Sequence, residues 1–335
     1  MKRYTILVSA ILFFLLLSIY PDSLSAAPYY EGKVITIVVG YSPGGGYDRM
    51  ARILAKHLPN YIPGKPTVLV QNMPGADSMI AANYLYKIAK PDGLTIGTFS
   101  RGLPFAQLAK MEGVMFDLTK FSWIGSSAVE AFIFVIRADL PYKTFNDLQK
   151  AKEPIAIGGT GGGDPMNVFP ILLKEFLGLK MKLIIYPSSA ESMLAVERKE
   201  IDGRAGSYSS LKPFIERGLV HPLIRGKVSE AGMENLPVNE ELTTDKKGKT
   251  MMAMLSTVDR IGRPYVAPPG TPEATMSVLR DAFAKVAKDP AVQEDAKKNK
   301  MTVEYVPAQE VQELLEYLLN QPPDIINEFS KYVKY

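Results

Sequence analysis

Val34-Ile35-Thr36-Ile37-Val38-Val39-Gly40-Tyr41-Ser42-Pro43-Gly44-Gly45-Gly46-Tyr47-Asp48 is a β-branched run followed by a glycine cluster, with Asp48 its one charged residue. The run reads as a buried strand and the glycines as a loop. Met50, Leu54 and Leu58 then recur every four residues with Ile53 beside them, which gives one apolar helical face. The same unit of strand, glycine loop and helix returns at Ile155-Ala156-Ile157, Gly158-Gly159-Thr160-Gly161-Gly162-Gly163 and Asp164-Pro165. There Asp164 is a suitable N-cap, Pro165 suits the first helical position, and Pro170 predicts a kink. A unit used twice predicts two similar α/β lobes.

Outward from the first unit, Thr67 to Val70 reads as a strand and Asn72-Met73-Pro74-Gly75-Ala76 as a turn. Asp77 or Ser78 is expected to cap a helix through about Ala89, and Pro91-Asp92-Gly93 to turn into a strand from Leu94 to Phe99. Around the second unit, strands are expected at Ile133 to Ile136, Leu183 to Tyr186 and from Ile201, with helices from Thr144 and over Ala190 to Lys199. This alternation argues for an α/β protein in which each lobe is a mixed, mainly parallel sheet flanked by helices. The polar stretch Glu230 to Met251 reads as surface cover. Arg263 to Pro272 reads as a strand and a proline-stiffened turn, followed by helices at about 273–287, 308–319 and 325–333.

Lys2 and Arg3 precede the apolar run Ile6 to Leu17, and Ser23-Leu24-Ser25-Ala26-Ala27 offers small residues for cleavage. Residues 1 to 26 therefore read as a signal peptide, the apolar run being shorter than the roughly 20 residues of a membrane anchor. The chain has no cysteine, which excludes disulfides, thiolate nucleophiles, cysteine-based zinc sites and lipid attachment through cysteine. Export without such an anchor points most simply to a Gram-negative periplasm. Lys plus Arg is 39 against 35 for Asp plus Glu, spread without a basic block, so nucleic acid is not an expected partner. His57 and His221 are the only histidines, a weak basis for a transition-metal centre, although carboxylates alone could take calcium.

Glycine loops at strand ends let unpaired helix N-terminal amides face a ligand, and two such loops on one cleft would hold an anion. The alternative is that they serve only as tight turns. Neither loop is a nucleotide motif: Tyr47-Asp48 and Asp164-Pro165 stand where a Walker sequence needs Lys and Ser or Thr. Gly40-Tyr41-Ser42-Pro43-Gly44 matches the Gly-x-Ser-x-Gly of a hydrolase elbow. Pro43, however, lacks the backbone N–H which that elbow places in its oxyanion hole. Arg204, among small residues, could clamp a ligand carboxylate or be solvated or structurally paired. Tyr41, Tyr47 and Tyr208 could line a pocket or only pack.

Val38 to Asp48 with Ala51-Arg52, Asn72-Met73-Pro74-Gly75-Ala76, Pro91-Asp92-Gly93-Leu94-Thr95 and Ala267-Pro268-Pro269-Gly270-Thr271-Pro272 together resemble the substrate-binding receptors of tripartite tricarboxylate transporters, the Bug family. The likeness spans nearly the whole chain after residue 26. It implies a two-lobed periplasmic binding fold, type II-like, with residues 27–128 and 226–335 in one lobe and 129–225 in the other. It implies a receptor rather than an enzyme, without cofactor or metal, monomeric, closing on a small carboxylate and serving integral-membrane transporter subunits. A secreted serine hydrolase on Ser42 and a ligand sensor are the alternatives.

Carried over position by position, the resemblance implies that Ser42, Gly45, Gly46 and Asp48 grip the ligand from one lobe, and Gly158, Thr160, Gly161 and Asn167 from the other. The candidate site is completed by Tyr41, Tyr47, Asn72, Gly75, Ala76, Gly162, Asp164, Arg204, Ser207 and Tyr208. The sequence departs from the family pattern in having Asp164 in place of a serine and Asn167 in place of a histidine. Gly203 to Ser209 also departs from the usual form, so the far end of the ligand is expected to be read differently.

Overall fold

The computed structural model describes residues 27–334. The expected signal peptide, residues 1 to 26, lies outside the described residues. The first part of the chain forms β1 (Val34–Val39), α1 (Gly46–His57), β2 (Thr67–Asn72), α2 (Met79–Lys87), β3 (Thr95–Thr98), α3 (Leu103–Leu108) and β4 (Ser122–Ser126). The middle part forms β5 (Phe132–Arg137), α4 (Phe145–Gln149), β6 (Ile155–Gly159), α5 (Pro165–Leu177), β7 (Met181–Ile185), α6 (Ser189–Glu197), β8 (Gly203–Ser207), α7 (Tyr208–Glu216) and β9 (Val220–Arg225). The last part forms α8 (Lys246–Ile261), β10 (Pro264–Ala267), α9 (Glu273–Lys288), α10 (Pro290–Lys298), β11 (Val306–Pro307), α11 (Ala308–Leu319) and α12 (Pro323–Val333).

Two sheets result, with strand orders β11-β4-β10-β3-β1-β2 and β7-β6-β8-β5-β9. β1 pairs in parallel with β2, from Val34↔Thr67 to Val39↔Asn72, and with β3, from Thr36↔Thr95 to Val39↔Thr98. A strand covered on both faces needs apolar side chains on both, and the consecutive Ile37, Val38 and Val39 are all fully buried. β6 likewise pairs in parallel with β7 and β8. The remaining ladders are antiparallel. Both sheets are mixed, as expected, but antiparallel ladders slightly outnumber parallel ones, so the expected parallel majority is corrected. β10 enters the first sheet after the chain has passed through the second, and it arrives antiparallel to β3 and β4.

The passages between the sheets run side by side. Ser127 N–H donates to Arg263 O at 3.1 Å and Glu130 N–H to Asp259 O at 2.9 Å. Gly262 sits there with φ +63°, where any Cβ would collide with the Ala128 carbonyl, so this crossing admits only glycine.

Two local expectations change. Neither Asp77 nor Ser78 caps α2: Ser78 holds the N-cap position in a left-handed conformation, and its hydroxyl donates to Gly40 O at 3.0 Å instead. Pro170 lies inside α5, which runs from Pro165 to Leu177. The stretch read as surface cover contains the start of α8, where Asp245 caps by accepting from Gly248 N–H at 2.7 Å. α8 buries Met251, Met252, Met254 and Leu255 and packs on α5 of one lobe and α11 of the other. One apolar core therefore continues through both lobes, joining Phe99, Phe105 and Trp123 to Phe132, Phe169 and Phe329.

Candidate functional site

The first glycine loop is fixed from behind. Gly44, at φ +85°, donates its N–H to Asp48 Oδ2 at 2.8 Å, and the Asp48 carboxylate also accepts from Arg52 Nε and from Asn72 Nδ2. Asn72 Nδ2 reaches Tyr41 O at 2.9 Å as well. Burial works against ionisation of Asp48, yet these hydrogen bonds hold its carboxyl below the usual range. Asp48 and Asn72 frame the loop and do not line the cavity in front of it; Tyr41, Ser42, Gly45, Gly46 and Tyr47 do.

The second loop has a matching frame. Fully buried Asn167 accepts the Thr160 N–H at 2.8 Å, while Asp164 caps α5 by accepting the Met166 N–H at 2.9 Å and also takes the Thr160 hydroxyl. Thr160 and Asp164 line the cavity; Gly158, Gly161, Gly162 and Asn167 do not. A Cβ on Gly158 would collide with Ser192. Gly161 and Gly162 hold φ +87° and +60°, so they serve the turn. Tyr208 opens α7 without lining the cavity and carries Lys212 over its ring.

Between the two loops lies a cavity of about 250 Å³. Gly75, Ala76, Arg204 and Ser207 join its lining, as do residues the sequence did not single out: Asp77, Ser100, Arg101, Ser188, Ser189 and Arg263. The starts of α1, α5, α6 and α7 converge on it through Gly45–Gly46, Asp164–Pro165, Ser188–Ser189 and Ser207. Each helix follows a strand of its own lobe, so its N-terminus lies at the carboxyl edge of a sheet, where open α/β sheets hold ligands. Each N-terminus carries partial positive charge.

Three arginines stand in this lining, all nearly excluded from solvent. Arg263 pairs with Glu130 at 2.9 Å and donates to the Ser209 hydroxyl at 3.1 Å, leaving its Nε and Nη1 without partners. Arg101 lies 3.4 Å from Asp259 and over the Phe132 ring. Arg204 donates to the carbonyls of Ala205 and Ser189 and to the Met166 sulfur, with no carboxylate among the described residues within 4.0 Å. Desolvation lowers its pKa to about 10, the charge of Asp164 acting the other way. Tyr41 stacks on Tyr47 with centroids 4.6 Å apart and donates its hydroxyl to Asp77 at 2.9 Å. Desolvation pushes the Tyr47 hydroxyl up to about 12.

Ser42 is exposed at the cavity mouth. His57 Nε2 is held by Asp295 at 2.7 Å and His221 Nε2 by Tyr142 O at 2.8 Å, so neither histidine is set against Ser42. Among the described residues no group of three or more His, Asp or Glu side chains is placed to hold a metal ion.

With this geometry in place, the family model described as the tripartite tricarboxylate transporter family receptor matches residues 50–330. A UPF0065 protein of Cupriavidus necator is 27% identical over 290 residues, covering 85% of this chain and 84% of its own. Among solved structures, the periplasmic binding protein BugD superposes with a TM-score of 0.73 at 22% identity, over 90% of this chain and 98% of that one. MatC from Rhodopseudomonas palustris with bound malate gives a TM-score of 0.70 at 18% identity, over 90% of this chain and 99% of that one. These two identities carry the fold and no more.

Proposed function

The chain belongs to the tripartite tricarboxylate transporter family of receptors, and from that premise we propose that it captures a small organic carboxylate between its two lobes and hands it to integral-membrane transporter subunits. In this reading residues 27–128 with 226–335 make one lobe and 129–225 the other, and the protein acts as a monomer in the periplasm after loss of residues 1 to 26. The observation that carries the ligand class is Arg204. A buried guanidinium with no acid partner costs free energy that a bidentate carboxylate would recover. The convergent helix starts add favourable potential for the same charge. Malate in the related fold of MatC is consistent with this class.

The test is a thermal-shift screen of mono-, di- and tricarboxylates on protein beginning at Ala27. A ligand at 100 times its Kd stabilises the fold by about 2.7 kcal/mol. Arg204→Gln, checked for folding by circular dichroism, is expected to weaken the best hit at least tenfold. A hit that binds this variant as tightly as the parent removes Arg204 from the site, and a panel without a single hit removes the carboxylate.

A further inference from the structure

The cavity holds carboxyl groups as well as guanidiniums. Asp77, from the loop before α2, and Asp164, from the second glycine loop, both line it, one from each lobe. Neither carboxylate has a Lys, Arg or His nitrogen among the described residues within 4.0 Å, unlike the buried Glu130 and Asp259. Asp77 accepts the Tyr41 hydroxyl, and Asp164 accepts one donor on each oxygen. A carboxylate offers about four lone-pair sites, so both retain acceptor capacity. They also feel each other: burial first, and then the charge of Asp164, raises the Asp77 pKa well above its ordinary value. Capping accounts for part of Asp164 and for none of Asp77, whose backbone is left-handed and whose side chain caps nothing.

The same cavity presents Arg204 without an acid and Arg263 with two buried nitrogens unpartnered. A ligand carrying only negative charge would satisfy the arginines but bring no donor or cation to the two carboxyls, and its charge would further oppose ionisation of Asp77. A ligand carrying both signs satisfies both sets. We propose that the solute is an amino-carboxylate, its carboxylate held by Arg204 and the helix starts around it and its ammonium set between Asp77 and Asp164. This rests on the carboxylate-receptor reading and narrows its substrate class.

The experiment uses matched pairs that differ by one amino group: succinate and aspartate, glutarate and glutamate, butyrate and 4-aminobutyrate. Each is titrated calorimetrically into the protein from Ala27 onward, and into Asp77→Asn and Asp164→Asn. Asparagine keeps both the N-cap and the tolerance of left-handed backbone. In at least one pair the amino member is expected to bind tenfold or more tighter, and each variant to shrink that advantage below threefold without weakening the partner that lacks nitrogen. Deaminated members binding as tightly in every pair overturn the amino-carboxylate and leave the carboxylate receptor standing. An advantage that survives both substitutions overturns the assignment of Asp77 and Asp164. No binding by any member, in these pairs or in the carboxylate screen, overturns both readings together.

Discussion

Gly46 is required by what approaches it. A Cβ at this position would stand 2.8 Å from Arg263 Nη2 and 3.3 Å from the Ser210 hydroxyl. Arg263 has little room to yield, because the same Nη2 is held by Glu130 and Ser209. Gly46→Ala is therefore expected to cost about 1–3 kcal/mol, the usual range for overpacking, and to weaken ligand binding by displacing Arg263. At Gly45 a Cβ meets only Ser42 O, at 3.7 Å, so Gly45→Ala should stay within about 0.5 kcal/mol. Urea denaturation of the two variants side by side checks the contrast; equal losses would mean that Arg263 gives way freely. The glycine loops were legible in the sequence because glycine clusters after β-branched runs are local signals. Which neighbours face inward was not. Asp48 and Asn72 stand close to the first loop and Asn167 to the second, yet all three support the backbone from behind, and sequence adjacency cannot separate support from contact. Arg101 and Arg263 went unread because a single arginine carries no motif. Arg101 could have been found from its place just beyond β3, at the carboxyl end of a strand.

At the scale of elements, strands carried by an apolar run beside a glycine or proline turn were readable, and a strand without such a run was not. β4, Ser122–Ser126, is short, polar at both ends and contains Gly125 at φ +144°, and its neighbours β10 and β11 lie more than 130 residues later. α8 was hidden differently. Lys246, Lys247, Lys249 and Thr250 open it, and its apolar stripe begins only at Met251. The periodicity that announces a helix therefore starts a turn late. Its position between α5 and α11 makes it a joint between lobes, and two substitutions separate its parts. Met252→Ala, at a fully buried position, is expected to cost about 2–5 kcal/mol. Asp245→Ala, which removes only the cap, should cost about 1 kcal/mol. Chemical denaturation gives both numbers. A Met252→Ala cost no larger than the cap's would remove α8 from the shared core.

For the whole molecule, the consequence of joining two lobes through a polar seam is a pH-dependent stability. Asp259, near the end of α8, is 1% exposed and faces Arg101 from the loop after β3, with Glu130 of the neighbouring crossing close by. Desolvation raises its pKa to about 7; Arg101 offsets part of this and the charge of Glu130 adds to it. In the unfolded chain the same carboxyl titrates near 3.9. Between roughly pH 4 and 7 the folded protein thus binds a proton that the unfolded chain has released, so stability falls as pH rises through that window. The contribution is fully present below the unfolded pKa and lost once pH passes about 7. Asp259→Asn keeps the shape and cannot titrate, although it gives up the attraction to Arg101. The melting temperature of the parent minus that of Asp259→Asn is therefore expected to be largest near pH 5 and to shrink steadily to pH 8. Taking the difference cancels titrations elsewhere, such as the lowered pKa values of Asp139 and Asp295 near 2, which lie outside this range. A difference that stays flat from pH 5 to 8 would mean that Asp259 is already ionised against Arg101 throughout. Attraction to Arg101 would then outweigh the desolvation of a carboxylate buried between the lobes.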